Sequence, residues 1–155
     1  DSVPDSKIHQ YFKGVWCNAL MIIASSVTGH KYPNEEYKNM MKKSVNGRLL
    51  YMAESVIGTI FSWKSPAKWF NVVDKAIRYR KESNYITSAT GRKHYLGEIF
   101  PKKVFLPLQE QSFENTSFYA PANPDVYLRH NYGDNYMTPP PKTKQESHFV
   151  KRLEL

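Results

Sequence analysis

The chain has 155 residues, enough for one domain with a real hydrophobic core, and its apolar fraction of 41% and aromatic fraction of 14% exclude wholesale disorder. The formal net charge is +8, which attracts polyanions: nucleic acid, an anionic membrane surface or phosphorylated substrates. Yet there is no zinc-finger spacing, RNP-like run or uninterrupted basic tract, which argues against nucleic acid as the partner.

Helical spacing begins at Lys7. Pro4-Asp5 reads as a turn and cap, with Asp5 accepting from a free backbone N–H. Ile8, Tyr11, Phe12, Val15, Trp16, Ala19, Leu20, Ile22 and Ile23 then cover a broad face, as in a helix largely buried against neighbours. Ser25, Ser26 and Gly29 are expected to end it. Cys17, the single cysteine, excludes an intrachain disulfide and fits a reducing compartment; inside "VWCNALMIIA" it reads as a buried thiol. That apolar run has about half the length needed to cross a bilayer. No signal peptide precedes it, and the start at "DSVPDS" reads as a processed product or a fragment.

Asn34 caps a second helix, with Glu35 and Glu36 in its first turn. Helical character continues through Leu49, Leu50, Met52, Ala53, Val56, Ile57, Ile60 and Phe61, and Gly47 leaves open whether this is one helix or two. Ser65 as cap and Pro66 at the first position start another, whose buried stripe is Trp69, Phe70, Val73, Ala76 and Ile77.

Near residue 83 the pattern changes, dividing a helical part (1–83) from a later part (84–155) within a single or partial domain. "NYITSATG" holds one short strand ended by Gly91. Further on, a strand over Val104 to Leu108, with Pro107 at an edge or bulge, turns near Glu110. Phe113 and Ser117 to Tyr119 then pair around a turn at Glu114-Asn115. Asn123, Pro124 and Asp125 open a last helix, with Tyr127 and Leu128 inward and Gly133 as its stop; the fold class is α+β.

No H-x-x-x-H, H-E-x-x-H or carboxylate cluster marks a self-contained metal site, and no serine sits on a nucleophile elbow. His94 lies between Arg92, Lys93 and Tyr95 ahead of Glu98, a basic loop suited to phosphate and equally to plain solvation. The tail "YGDNYMTPPPKTKQESH" comes after a helix stop, and its prolines hold it extended. Tyr132, Asp134, Tyr136 and His148 there can wall a cleft for a nucleotide base or a cationic head group, or simply pack on the domain.

These residues also stand in a familiar order. Phe100-Pro101, Val104 to Leu108, Phe113-Glu114, Ala120-Pro121, Tyr127-Leu128, Tyr132-Gly133-Asp134, Tyr136-Met137, Pro139-Pro140 and His148 resemble the C-terminal half of the LicD family of phosphotransferases, related to the fukutin proteins. About a third of the chain carries the match. Asn135 stands between Asp134 and Tyr136, where the family runs Asp-Tyr, and Asn115 replaces a usual glycine. The resemblance implies the C-terminal part of a nucleotidyltransferase-like fold. The whole enzyme would transfer a phosphocholine-like group from a CDP-linked donor such as CDP-choline to a glycan or glycopolymer acceptor. Magnesium (Mg2+) would be held by aspartates upstream of residue 1, in an N-terminal catalytic segment; "DSVPDS" resembles the stretch directly after the last of those motifs. The implied location is cytoplasmic, with the inner face of the membrane as an option. Substrate-binding residues on this chain would be Tyr132, Asp134, Tyr136, His94, Glu98 and His148, with no metal ligand among them. The alternative is a non-catalytic basic module that binds an anionic glycopolymer or membrane surface.

Overall fold

The computed structural model describes residues 1–141, so His148 lies outside the described residues. In chain order the elements are β1 (Ser2–Val3), α1 (Lys7–Lys31), α2 (Glu35–Met41), α3 (Val45–Ile60), α4 (Pro66–Ile77), β2 (Tyr85–Thr87), α5 (His94–Gly97), β3 (Ile99–Pro101), β4 (Gln109–Phe113), β5 (Thr116–Ala120) and α6 (Pro124–Tyr132). Helix and antiparallel sheet are both present, as α+β requires. Among the described residues no helix is long and apolar enough to cross a membrane.

α1 is the axis of the helical part, and α3 and α4 both pack on it. Its buried side is not the bulky stripe the sequence suggests. Gln10, Gly14, Cys17, Leu20, Ala24 and Val27 face inward, whereas Ile8, Phe12 and Trp16 are exposed. Small side chains at Gly14, Cys17 and Ala24 let neighbouring elements approach closely, and that approach decides which face is covered. Trp69, Val73 and Ile77 of α4 complete the core with Val3, Ala89 and Tyr95. Each large side chain so buried contributes about 1.5–3 kcal/mol. Trp69 also donates its indole N–H to Phe61 O at 3.0 Å, so burial leaves no orphan donor there.

α1 runs through Ser25, Ser26 and Gly29 to Lys31, further than propensity suggests. Thr28 Oγ1 bonds back to Ala24 O at 2.8 Å, and Ser26 is buried where α1 meets α3; packing overrides the weak formers. The cap expected from Asp5 is absent. Its Oδ1 instead accepts from Asn84 N at 2.8 Å and Ser83 Oγ at 2.9 Å, tying the start of α1 to the strand region. Asn34 caps α2 as read, accepting from Glu36 N and Tyr37 N. The break after α2 comes at Lys42 to Ser44, not at Gly47, because Ser44 Oγ caps α3 by accepting from Gly47 N at 3.0 Å. Ser65 caps α4, with Pro66 first.

β1, β2 and β3 form an antiparallel sheet in that order, with Ser2 opposite Ile86 and Ile86 opposite Phe100. β1 and β3 are too short for alternation to reveal them. The expected strand at Val104 to Leu108 does not form. A 3-10 turn covers Lys102–Val104, and Val104 O and Phe105 O accept from Asn123 N and Ala122 N at the entry to α6 instead. Glu110 lies within β4 rather than at a turn. β4 and β5 pair around Glu114-Asn115, with the left-handed φ of 52° falling on Glu114 and not on Asn115. α6 has its expected Asn123 cap and ends on Gly133, whose φ of 87° suits glycine.

Candidate functional site

Two groups of polar side chains stand out, joined through α5. The first is built by the Thr90 to Glu98 loop and α6. Glu98 is 1% exposed, and its Oε1 accepts from Lys93 N at 3.0 Å while Oε2 has no hydrogen-bond partner among the described residues. Gly91 makes this possible, because a Cβ there would overlap both carboxylate oxygens. Lys93 Nζ donates to His130 O, and His130 Nε2 lies 2.6 Å from Gly97 O. A carbonyl only accepts, so that ring nitrogen carries the proton. The Arg92 guanidinium sits 5.8 Å from the centre of the Tyr132 ring. Loop and helix are thereby locked together.

Beyond α6, Tyr136 donates its hydroxyl to Asp125 Oδ1 at 2.8 Å, and Arg129 Nε reaches Asp125 Oδ2 at 2.7 Å. These bonds, Arg129 first, hold the Asp125 carboxyl below its ordinary range; the Asp125 bond in turn pushes the Tyr136 phenol up. Asp134 accepts from Arg129 at 3.4 Å and is otherwise open to solvent. Tyr132 is likewise exposed. Tyr132, Asp134 and Tyr136 are therefore gathered around α6, with Tyr136 turned back onto it.

The second group lines a cleft between α1 and α3. One chamber of about 260 Å³ is walled by Asn18, Ser25 and Ser26 of α1, Glu54 of α3 and His94 of α5. An adjoining chamber of about 290 Å³ shares Ser25, Ser26 and Glu54 and adds His30, Tyr32, Tyr37 and Tyr51. Asn18, Met21, Ile22 and Ser25 fall at helical intervals on one side of α1, which is why they meet the cleft together. Ser26 Oγ and Asn18 Oδ1 are buried beside the cleft with no hydrogen-bond partner among the described residues. Tyr37 donates its hydroxyl to Glu54 Oε1 at 3.1 Å and Oε2 at 2.9 Å, which fixes the carboxylate. Burial and then Glu54 push the Tyr37 phenol up. The Tyr37 and Tyr51 ring centres are 6.3 Å apart at 53°. Glu54 is the only carboxylate among the described side chains lining the two chambers.

His94 enters this cleft from a left-handed backbone, φ 58°, a conformation a histidine adopts at some cost and one that recurs at ligand sites. Of the residues singled out by sequence, the structure thus brings Glu98 and Tyr132 together through the α5 loop. It places His94 at the α1–α3 cleft and Asp134 and Tyr136 around Arg129. Two further clefts lie at Thr87 to Thr90 beside α4 and at Arg48 to Met52 on α3. None of these four clefts is lined by Tyr132, Asp134 or Tyr136. Sequence reasoning missed Glu54, Tyr37, Asn18 and Ser26. The available signal was slight: Asn18 and Ser25 bracket the apolar stretch 19–24 seven residues apart, which places them on one side of the helix.

Among the described residues no three His, Cys, Asp or Glu side chains converge as a metal cage. Comparison with family models, with curated proteins and with solved structures finds no match to this chain.

Proposed function

We propose that this chain is the C-terminal, substrate-side part of a LicD-type phosphotransferase on a nucleotidyltransferase-like fold. It helps move a phosphocholine-like group from a CDP-linked donor to a cell-surface glycan or glycopolymer. The observation that carries the proposal is the α1–α3 cleft, where a carboxylate and tyrosine rings line a concavity in a chain of net charge +8. A trimethylammonium head is drawn to such a carboxylate and to aromatic faces. The phosphates of the same donor carry the opposite charge and suit the basic loop at Arg92 and Lys93, beside His94.

The magnesium of the family does not fit this chain's own residues, since no three suitable ligands converge among those described. Its cage would belong to a separate catalytic segment. α1 offers a surface for such a segment: Ile8, Phe12 and Trp16 are each at least 60% exposed, and β1 is the outer strand of its sheet.

Calorimetric titration with CDP-choline, with and without magnesium, tests the reading. Binding of CDP-choline that is weakened about tenfold by Glu54→Gln supports it. Salt-sensitive binding of an anionic glycopolymer, with no response to CDP-choline, would instead support the non-catalytic basic module.

A further inference from the structure

The outward side of α3 is an unbroken apolar row. Val45, Leu49, Met52, Val56 and Ile60 succeed one another at steps of three or four residues, which keeps them on one side of the helix. Trp63 stands just after the helix end. All six are more than half exposed, from 57% at Val56 to 69% at Val45. Gly58 on the other side is buried against α1, and Glu54 points to the cleft, so the row faces away from the rest of the fold. A continuous apolar surface of this kind is covered in use.

The charges around the row choose what covers it. Lys42, Lys43 and Arg48 are exposed at its start. At its end Lys64 Nζ lies 4.5 Å from the centre of the Trp63 ring, and Lys68 is exposed on the next helix. Cations at both ends of an uncharged apolar strip, with an indole at one of them, complement an anionic bilayer surface. Headgroup phosphates meet the cations, the acyl boundary takes the aliphatic row, and tryptophan favours the level between.

We propose that α3 lies in the interface of an anionic membrane. The row from Val45 to Trp63 is immersed, and Lys42, Lys43, Arg48 and Lys64 sit at headgroup level. The α1–α3 cleft occupies the reverse side of the same helix, so docking would hold that cleft open beside the membrane rather than against it. The proposal stands independently of the phosphotransferase reading, because it uses none of the cleft residues.

The test is flotation of the full chain with vesicles of phosphatidylcholine alone or with a quarter phosphatidylserine. Expected is binding to the anionic vesicles, weakened by salt, with little binding to the neutral ones. Leu49→Ser with Val56→Ser should lower the partition coefficient at least about tenfold, the two side chains each contributing burial. Lys42→Gln with Lys43→Gln should lower it about fivefold per charge. Circular dichroism establishes that each variant is folded, and both pairs are on the surface. The proposal is overturned by equal binding to the two vesicle types, or by unchanged flotation of the folded Leu49→Ser, Val56→Ser variant. It is also overturned if light scattering without lipid gives a dimer mass that this variant abolishes, since the row would then be an interface between two copies.

Discussion

Glu98 lays its carboxylate over Gly91, filling the space that a side chain at residue 91 would need. The pair closes the α5 loop, and Lys93 N donates to the same carboxylate at 3.0 Å. Gly91→Ala forces a methyl group into buried carboxylate oxygens, an overpacking that costs about 1–3 kcal/mol. Urea denaturation should show the midpoint fall with an unchanged slope. Combining it with Glu98→Ala should cost less than the sum of the two single changes, since they share one space. Strict additivity would mean that the two residues do not constrain one another.

Asp5 provides a second link, between the start of α1 and Asn84. Its carboxyl is held below the ordinary value, chiefly by the Asn84 backbone N–H and then by the Ser83 hydroxyl. A folded pKa below the unfolded one adds stability that is present above about pH 3.9 and is lost as pH falls through the folded value. Asp5→Ala should therefore melt below wild type at neutral pH, and the two curves should converge in acid. A gap of constant size from pH 7 to pH 2 would show that ionisation of Asp5 contributes nothing.

Gly58 fixes the distance between α1 and α3. A Cβ at that position would lie 2.5 Å from Ser26 O and 2.8 Å from His30 Cβ, so Gly58→Ala must push the helices apart. The expected loss is about 1–3 kcal/mol despite the better helix propensity of alanine. A thermal melt reads the sign: stabilisation by Gly58→Ala would contradict the close crossing.

These three positions show what the sequence could and could not reveal. Caps and stops that depend on one or two adjacent residues were legible, as at Asn34, Ser65-Pro66, Asn123-Pro124 and Gly133. The covered side of α1 was not, because hydrophobicity ranks Phe12 and Trp16 above Gly14 and Ala24, while close packing selects the small residues. Asp5 looked like a cap because its real partners are 78 and 79 residues away. The Val104 to Leu108 segment has strand-like side chains, but its carbonyls are claimed by the entry to α6. At the candidate site, His94 was visible as a basic-loop histidine. Glu54 was not, since its cleft exists only once α1 and α3 cross.

Tyr132 and Asp134 contribute little to the packed interior. Tyr132 touches Arg92, and among the described residues Asp134 reaches Arg129, at 3.4 Å. The proposed phosphotransferase reading predicts that Tyr132→Ala and Asp134→Ala lower transfer at least about tenfold, a loss of roughly 1.4 kcal/mol in transition-state stabilisation, with unfolding unchanged. These residues line none of the four clefts, so wild-type turnover in both variants would remove them from any contact with substrate and leave Tyr136 with its structural bond to Asp125.

Glu54 and Tyr37 separate a cation site from a general nucleotide site. Glu54→Gln keeps the shape of the side chain and removes its charge, so affinity for CDP-choline should fall about tenfold, or roughly 1.4 kcal/mol. Tyr37→Phe leaves the charge but frees the carboxylate from the hydroxyl that orients it at 2.9 Å and 3.1 Å. Its effect should be smaller, about threefold, as for one modest hydrogen bond. Titration with CDP alone supplies the control. If Glu54 meets the ammonium group, the Glu54→Gln loss disappears for CDP, because nothing cationic remains to be recognised. An equal loss for both ligands would assign Glu54 to the nucleotide and leave no carboxylate of this cleft for the cationic head.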